Sequence, residues 1–326
     1  MILGFVLAVA AADYVGPQAC GECHAKQYET QKNSHHATAL KAILQSDLKL
    51  ASMTERGGAS FSYSPGHYGI ELTTSKGSGG FRAILEWTFG AGSQALTPVG
   101  RLDDGRYFEH RISWYRKGEK LGLTPGHSTA PSLDAESAIG IVQSPENIYR
   151  CFNCHAANVK PGPDIRGMLP GVTCERCHGA GSDHVAAAKA QKELKGTIFN
   201  AGKLTAKAIV PVCAECHRSP NVEYRSEIPE VEDPLSVRFA PIGLSASKCY
   251  QRSSKLSCIS CHNPHENPKP ANDASYTRVC QGCHAPQTAT ACKAKKQDNC
   301  VACHLKPSSP VPNLKFTDHR IRVYYF

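Results

Sequence analysis

The chain has 326 residues, 41% of them hydrophobic and 20% charged, with a formal net charge of +9, and that length allows one to three domains. Aromatic residues make up only 7%, which is little side-chain core for this size. No basic patch interleaved with stacking aromatics is present, which excludes a nucleic-acid binder.

Met1 to Ala12 is an apolar run ending in three alanines, a small-residue cleavage pattern. It is too short to span a bilayer and reads as a signal peptide whose first residues precede this sequence; a retained hydrophobic anchor is the alternative. No other stretch is apolar and long enough to cross a membrane. Next come Cys20, Cys23 and His24, two cysteines separated by two residues and followed at once by histidine, the attachment sequence of a c-type haem. Each sulfur can form a thioether to one vinyl group of the porphyrin. The tight turn between them brings the histidine onto the iron as proximal ligand. A helix is predicted over Ala25–Leu44, carrying His35 and His36. Neighbouring helical positions point about 100° apart, so the two can serve different irons.

Residues 57–123 contain no cysteine and show short alternating runs separated by turn signals, which predicts a small antiparallel sheet or meander. In its last strand, Tyr107–Tyr115, the residues Phe108, His110, Ile112 and Trp114 share one face, while Glu109, Arg111 and Ser113 share the other. His110 is therefore either an iron ligand or buried core. His67 lies on the polar face of its strand, and His127 follows Pro125-Gly126 shortly before the second haem site.

From residue 131 onward the chain reads as haem segments joined by short helices and loops. The motif recurs at Cys151/Cys154/His155, Cys174/Cys177/His178, Cys213/Cys216/His217, Cys258/Cys261/His262, Cys280/Cys283/His284 and Cys300/Cys303/His304. A helix is predicted over Asp183–Gly196, opened by His184; Pro220–Pro241 reads as a loop, and Arg320–Tyr325 as a strand near His319. His265 follows the fifth motif behind a proline and should reach a neighbouring haem. Cys249 and Cys292 stand outside the motifs; in an oxidising compartment they suggest a disulfide, with two buried thiols as the alternative.

Seven motifs use 14 of the 16 cysteines. Zinc ribbons and iron–sulfur sites use paired cysteines too, but neither needs a histidine after every pair. The cofactor predicted is thus seven haems c, which fill in for the missing aromatic core. Each ferric haem with ionised propionates adds about −1, bringing the formal charge of +9 to about +2. Thioether attachment implies maturation outside the cytoplasm, so the chain is expected to be exported, to the periplasm or the cell exterior. Of 15 histidines seven are proximal. The other eight offer seven distal ligands, His35, His36, His110, His127, His184, His265 and His319, with His67 as the spare. With only three methionines, the array is expected to be mostly bis-histidine and of low potential. The fold expected is mostly α and irregular, packed around haem, with a small β-rich insertion between haem sites one and two. Its segments are 1–12 (signal peptide), 13–50 (first haem), 51–130 (β-rich insertion) and 131–326 (six haems and a tail).

The chain resembles the multihaem cytochromes of the nitrifier tetrahaem cytochrome c and hydroxylamine-oxidoreductase-like superfamily. The resemblance is carried by Tyr14 to His24, Ser34-His-His-Ala37, Gly171 to Gly179 with His184, Cys258 to His265, Phe316 to Ile321, and the β segment Phe89–Tyr115. It implies closely spaced haems in stacked and T-shaped pairs, with distal roles for His36, His184, His265 and His319. Catalytic relatives use a lysine-ligated or tyrosine-cross-linked haem; here every motif pair is followed by histidine. The reading is an electron-transfer protein with no catalytic residue, acting as a periplasmic shuttle or as a subunit of an extracellular filament. Its partners would be other redox proteins and, in a filament, identical subunits, with no nucleic acid and no transmembrane span. The alternative is an oxidoreductase acting on a small nitrogen or sulfur oxyanion at one five-coordinate haem. A third reading is a haem-bearing scaffold docked through the β insertion.

Overall fold

Alternation in the cysteine-free stretch produces strands, and they assemble into far more than a small insertion. The computed structural model describes residues 12–162, 164–218, 230–285, 287–288, 291–293 and 299–324; all of the expected signal peptide but Ala12 lies outside them. Two short helices open the chain, α1 (Pro17–Gly21) and α2 (Ala25–Gln31). Then come β1 (Leu40–Ala42), β2 (Met53–Thr54), β3 (Ser60–Pro65), β4 (Ile70–Lys76) and β5 (Gly79–Phe89). They are followed by β6 (Ala95–Arg101), β7 (Tyr107–His110), β8 (Ile112–Tyr115), β9 (Lys120–Leu123) and β10 (Gly140–Val142). All ten form one antiparallel sheet with the central path β10-β7-β6-β5-β4-β3-β2; β1 joins β5, and β8 joins β6 and β9.

This sheet corrects the expectation of a mostly α and irregular fold with a small β insertion. Strands β1 and β10 pair with β5 and β7 from outside the stretch where alternation was visible. The helices are correspondingly short. The predicted strand Tyr107–Tyr115 is broken at Arg111, whose backbone N–H donates to Ile139 O while its side chain pairs with Glu55 at 2.7 Å, nearly buried. Arg111 and Ser113 are therefore interior, and the expected polar outer face does not exist at these positions.

Phe61, Leu72, Leu85, Phe108, Ile112 and Ile139 form the apolar interior of the sheet. On its other side lies α3 (Pro145–His155), capped by Ser144, which accepts from Asn147 N. Phe152 of α3 is fully buried against the rings of Trp87, Phe89 and Tyr107. Burying one such phenylalanine contributes roughly 2–3 kcal/mol, and here it seats a motif-bearing helix on the sheet.

A two-residue ladder, β11 (Ala156–Ala157) with β12 (Leu169–Pro170), leads to α4 (Cys174–His178), α5 (Ser182–Lys189) and α6 (Ala206–His217). Next are α7 (Ala240–Ser245), α8 (Lys248–Arg252), α9 (Cys258–Cys261), α10 (Ala274–Gln281) and α11 (Cys300–His304), before β13 (Pro307–Ser308) pairs with β14 (Phe316–Thr317). Several boundaries differ from expectation. The helix predicted to Leu44 stops at Gln31, because Ser34 and Thr38 side chains bond the local backbone and turn the chain toward β1. The helix predicted to Gly196 stops at Lys189. The tail strand is Phe316–Thr317, not Arg320–Tyr325. Of the predicted loop 220–241, residues up to 229 lie outside the description, and Pro234–Arg238 forms a 3-10 turn ahead of α7.

Candidate functional site

Every motif with a recorded turn closes in the same way: the histidine N–H donates to the carbonyl of the first cysteine, as for His24 (2.8 Å), His262 (3.0 Å) and His284 (2.9 Å). Motifs two, three, four and seven lie on α3, α4, α6 and α11. One helical turn puts positions i, i+3 and i+4 on one face, so both sulfurs and the imidazole point the same way.

Motifs one and six depart from that placement. Helices α1 and α10 end at Gly21 and Gln281, between the two cysteines, so Cys23 and Cys283 lie in a turn past the helix end. Both are exposed, and their backbone N–H groups donate to Cys20 O at 3.2 Å and Cys280 O at 3.1 Å. For Cys283, expected to bind haem six, the correction is one of setting. Gly282 follows Gln281 directly and favours helix continuation least among non-proline residues, so a single hydrogen-bonded turn, rather than a helix, holds Cys283 near Cys280.

Tertiary structure then brings four motif histidines opposite four histidines from elsewhere in the chain. His24 faces His184 with ring centroids 6.4 Å apart, and His36 faces His217 at 6.0 Å. His178 faces His265 at 6.3 Å with the planes only 4° apart, and His262 faces His319 at 6.2 Å. Metal–imidazole bonds run about 2 Å; two such bonds plus the inner half of each ring account for centroid separations of this size. The four pairs therefore fit an iron held axially between two imidazoles, and the cysteines beside one ring of each pair fit the covalent porphyrin. Among the described residues no three His, Cys, Asp or Glu side chains converge as a closed metal cage.

The outer ring nitrogens are anchored to the protein. Nδ1 of His155, His178, His304 and His319 lies 2.9–3.1 Å from the carbonyls of Ala39, Phe199, Arg322 and Thr317, and Nδ1 of His184 lies 2.9 Å from Thr197 Oγ1. A carbonyl only accepts, so the proton sits on Nδ1 and leaves the Nε2 lone pair for a metal. Burial lowers the pKa of His155, His262, His265 and His319, and pushes His217 down to about 4, helped by four surrounding histidines. These rings stay neutral, the form that ligates.

The remaining non-motif histidines sit apart. His110 and His127, both expected as distal candidates, belong to the sheet region. His110 is fully buried with both nitrogens engaged, Nδ1 donating to Ile139 O at 2.6 Å and Nε2 facing Tyr63 OH at 2.9 Å. His127 Nε2 lies 3.2 Å from Glu109 Oε2. His35 is exposed, its backbone N–H bonded to Asn267 Oδ1 at 2.6 Å, and its ring faces no other ring. His67, the expected spare, is exposed on the turn between β3 and β4 against Tyr68. The suggested disulfide is absent: no bond joins Cys249 to Cys292.

Motifs also touch one another through their cysteines. The thiols of Cys20 and Cys174, of Cys154 and Cys216, of Cys213 and Cys258, and of Cys280 and Cys300 are hydrogen-bonded in pairs. Helix α9 also packs on α10. Two residues missed by sequence reasoning hold this arrangement. Glu175, 1% exposed, accepts from Val15, Gly16 and Gly181 N–H at 2.8–2.9 Å and so ties the first motif to the third. Arg176 donates to Asn153 O, Glu215 Oε2 and Cys216 Sγ, joining motifs two, three and four. Their signal was available: both are charged residues placed between the cysteines of a haem motif.

Comparison with known proteins gives a consistent setting. The family described as cytochrome c554 and c-prime matches residues 19–81 and 124–179, and the doubled CXXCH motif matches 252–289. The chain is similar to the outer cell wall cytochrome OcwA, at 13% identity and a TM-score of 0.48, over 95% of this chain and 79% of that one. It is also similar to an undecahaem cytochrome from the S-layer of Carboxydothermus ferrireducens, at 14% identity and a TM-score of 0.42, covering 86% of this chain and 44% of that one. No curated protein matches. No helix among the described residues is long and apolar enough to cross a membrane.

Proposed function

We propose that this chain, a multihaem c-type cytochrome, conducts electrons through seven covalently attached haems, most of them capped by histidine on both faces. The observation that carries the proposal is the set of four facing imidazole pairs, each joining a motif histidine to one outside the motifs. We assign His184, His265, His36 and His319 as distal ligands of haems one, three, four and five. Haem iron supplies reversible one-electron chemistry; the residues around it fix its axial partners and, by offering histidine rather than methionine, keep its potential low.

The cysteine contacts and helix packing support an order of neighbours. Haem one lies beside three, three beside four through Arg176, then four, five, six and seven follow in turn, with haem two branching from four. Cys280 and Cys283 carry haem six in this order, between the haems of α9 and α11. Electrons enter and leave at the ends, which makes other redox proteins the partners. Covalent attachment requires export, and the protein would serve as a periplasmic shuttle or, end to end, as an extracellular filament. The motif order supports placing it with the hydroxylamine-oxidoreductase-like cytochromes.

Mass spectrometry of the mature protein, combined with spectropotentiometry, tests this. The expected mass exceeds that of the peptide by seven haems, and the expected titration spans a wide, low-potential range in which every haem is reduced. Fewer haems, or several that stay oxidised under strong reductant, would refute the continuous array.

A further inference from the structure

The eight non-motif histidines do not go round. Four face motif histidines, and His110 and His127 are held in the sheet region by Ile139, Tyr63 and Glu109. Only His35 and His67 are left for the haems of motifs two, six and seven, so at least one iron receives no histidine from this chain. Methionine does not make up the difference: Met53 packs on the sheet interior and Met168 on the cluster around Phe152.

The surroundings of motif seven single it out. Asn299 caps α11, and Arg322 O holds His304 Nδ1 at 2.9 Å. The enclosing segment is the chain's own tail, with β13 paired to β14 and Asp318 N–H donating to Lys306 O. That tail contains one histidine, His319, and its ring is turned toward His262 of motif five. It is seated there by α7: Ile321 N–H donates to Ser247 Oγ, and a Cβ on Gly243 would lie 2.6 Å from Arg320 N, so no side chain fits between. His35 is anchored elsewhere, at Asn267, beside the His36–His217 pair. His67 is on a sheet turn.

We infer that the haem of Cys300, Cys303 and His304 has no histidine on its distal side and takes a small anionic ligand of the cyanide, azide or nitrite class. The inference rests on the proposed function insofar as motif seven must carry a haem. The preference for an anion follows from the tail, where Lys306, Lys315, Arg320 and Arg322 outnumber Asp318 and the Glu232 that pairs with Arg320. Binding would be simple ligation, with no electron exchanged.

Electron paramagnetic resonance on the oxidised holoprotein, with cyanide titration, tests the inference. The expected result is a high-spin signal worth at least one haem, of which cyanide converts one equivalent per chain to low spin. In a C300A/C303A variant, one haem lighter by mass, that equivalent should disappear while the low-spin signals remain. Seven haems that are all low-spin and indifferent to cyanide would overturn the inference and leave the electron-transfer reading intact. A cyanide-sensitive signal undiminished in the variant would overturn it by placing the open iron elsewhere. A wild-type mass short of the seventh haem would refute both. Should the variant not mature, the structure of the cyanide-treated wild type decides: ligand density over the iron of His304 supports the inference, and an imidazole there refutes it.

Discussion

Glu175 shows how one side chain can fix the spacing of two redox centres. Its carboxylate accepts three backbone N–H groups from two segments about 160 residues away and nearby in sequence, and water cannot replace it at 1% exposure. Truncation strands three buried donors. Glu175→Ala is expected to cost about 3–5 kcal/mol in chemical denaturation, and Glu175→Gln less, since the amide keeps one acceptor. His110 gives a pH effect of known sign. Burial pushes its pKa down to about 4 from 6.5, so between those values the unfolded chain binds the extra proton. Its contribution is complete above pH 6.5 and lost as pH falls toward 4, a loss of roughly 3 kcal/mol. Thermal melts from pH 7 to 4 should show His110→Gln losing less stability on acidification than the wild type.

At the scale of elements, the distal histidines are positioned by close backbone contacts. Val172 N–H donates to His36 O at 2.8 Å, and Gln31 Nε2 donates to Val172 O at 2.7 Å. Gly171 makes that approach possible: its φ is +82°, and a Cβ would lie 2.0 Å from Ala37 O. Gly171→Ala is therefore expected to push the 34–38 turn away from His217. Electron paramagnetic resonance should show one haem's worth of low-spin signal lost, whereas an alanine at exposed Gly58, with nothing within 4 Å of its Cβ, should leave the spectrum unchanged.

For the whole molecule, two kinds of stability coexist. The sheet has its own apolar interior, whereas α4, α9 and α11 are only five, four and five residues long. Helices that short do not form unaided in water, and the motif regions depend on covalent haem for both core and cross-links. Blocking haem attachment should therefore abolish the helical circular dichroism far more than the strand signal. Equal loss of both would show that the sheet needs the haem region too.

What the sequence determined by itself was local chemistry. Two cysteines and a histidine within five residues share one turn whatever surrounds them, so all seven attachment motifs were legible, as was the alternation of residues 57–123. Whether that turn belongs to a helix was not legible, and at Cys23 and Cys283 it does not. His36, His184, His265 and His319 were visible as candidates and Glu175 was not, because a glutamate between two cysteines carries no periodic signal. Tertiary structure decided the rest. The sheet reached ten strands only when Leu40–Ala42 and Gly140–Val142 paired across long separations. His110 became core rather than ligand when Tyr63 and Ile139 took both its nitrogens. His24 and His184 stand 160 positions apart in sequence and 6.4 Å apart in space. Backbone spacing fixes which groups can sit on one turn, but only the packing of distant segments fixes which groups meet.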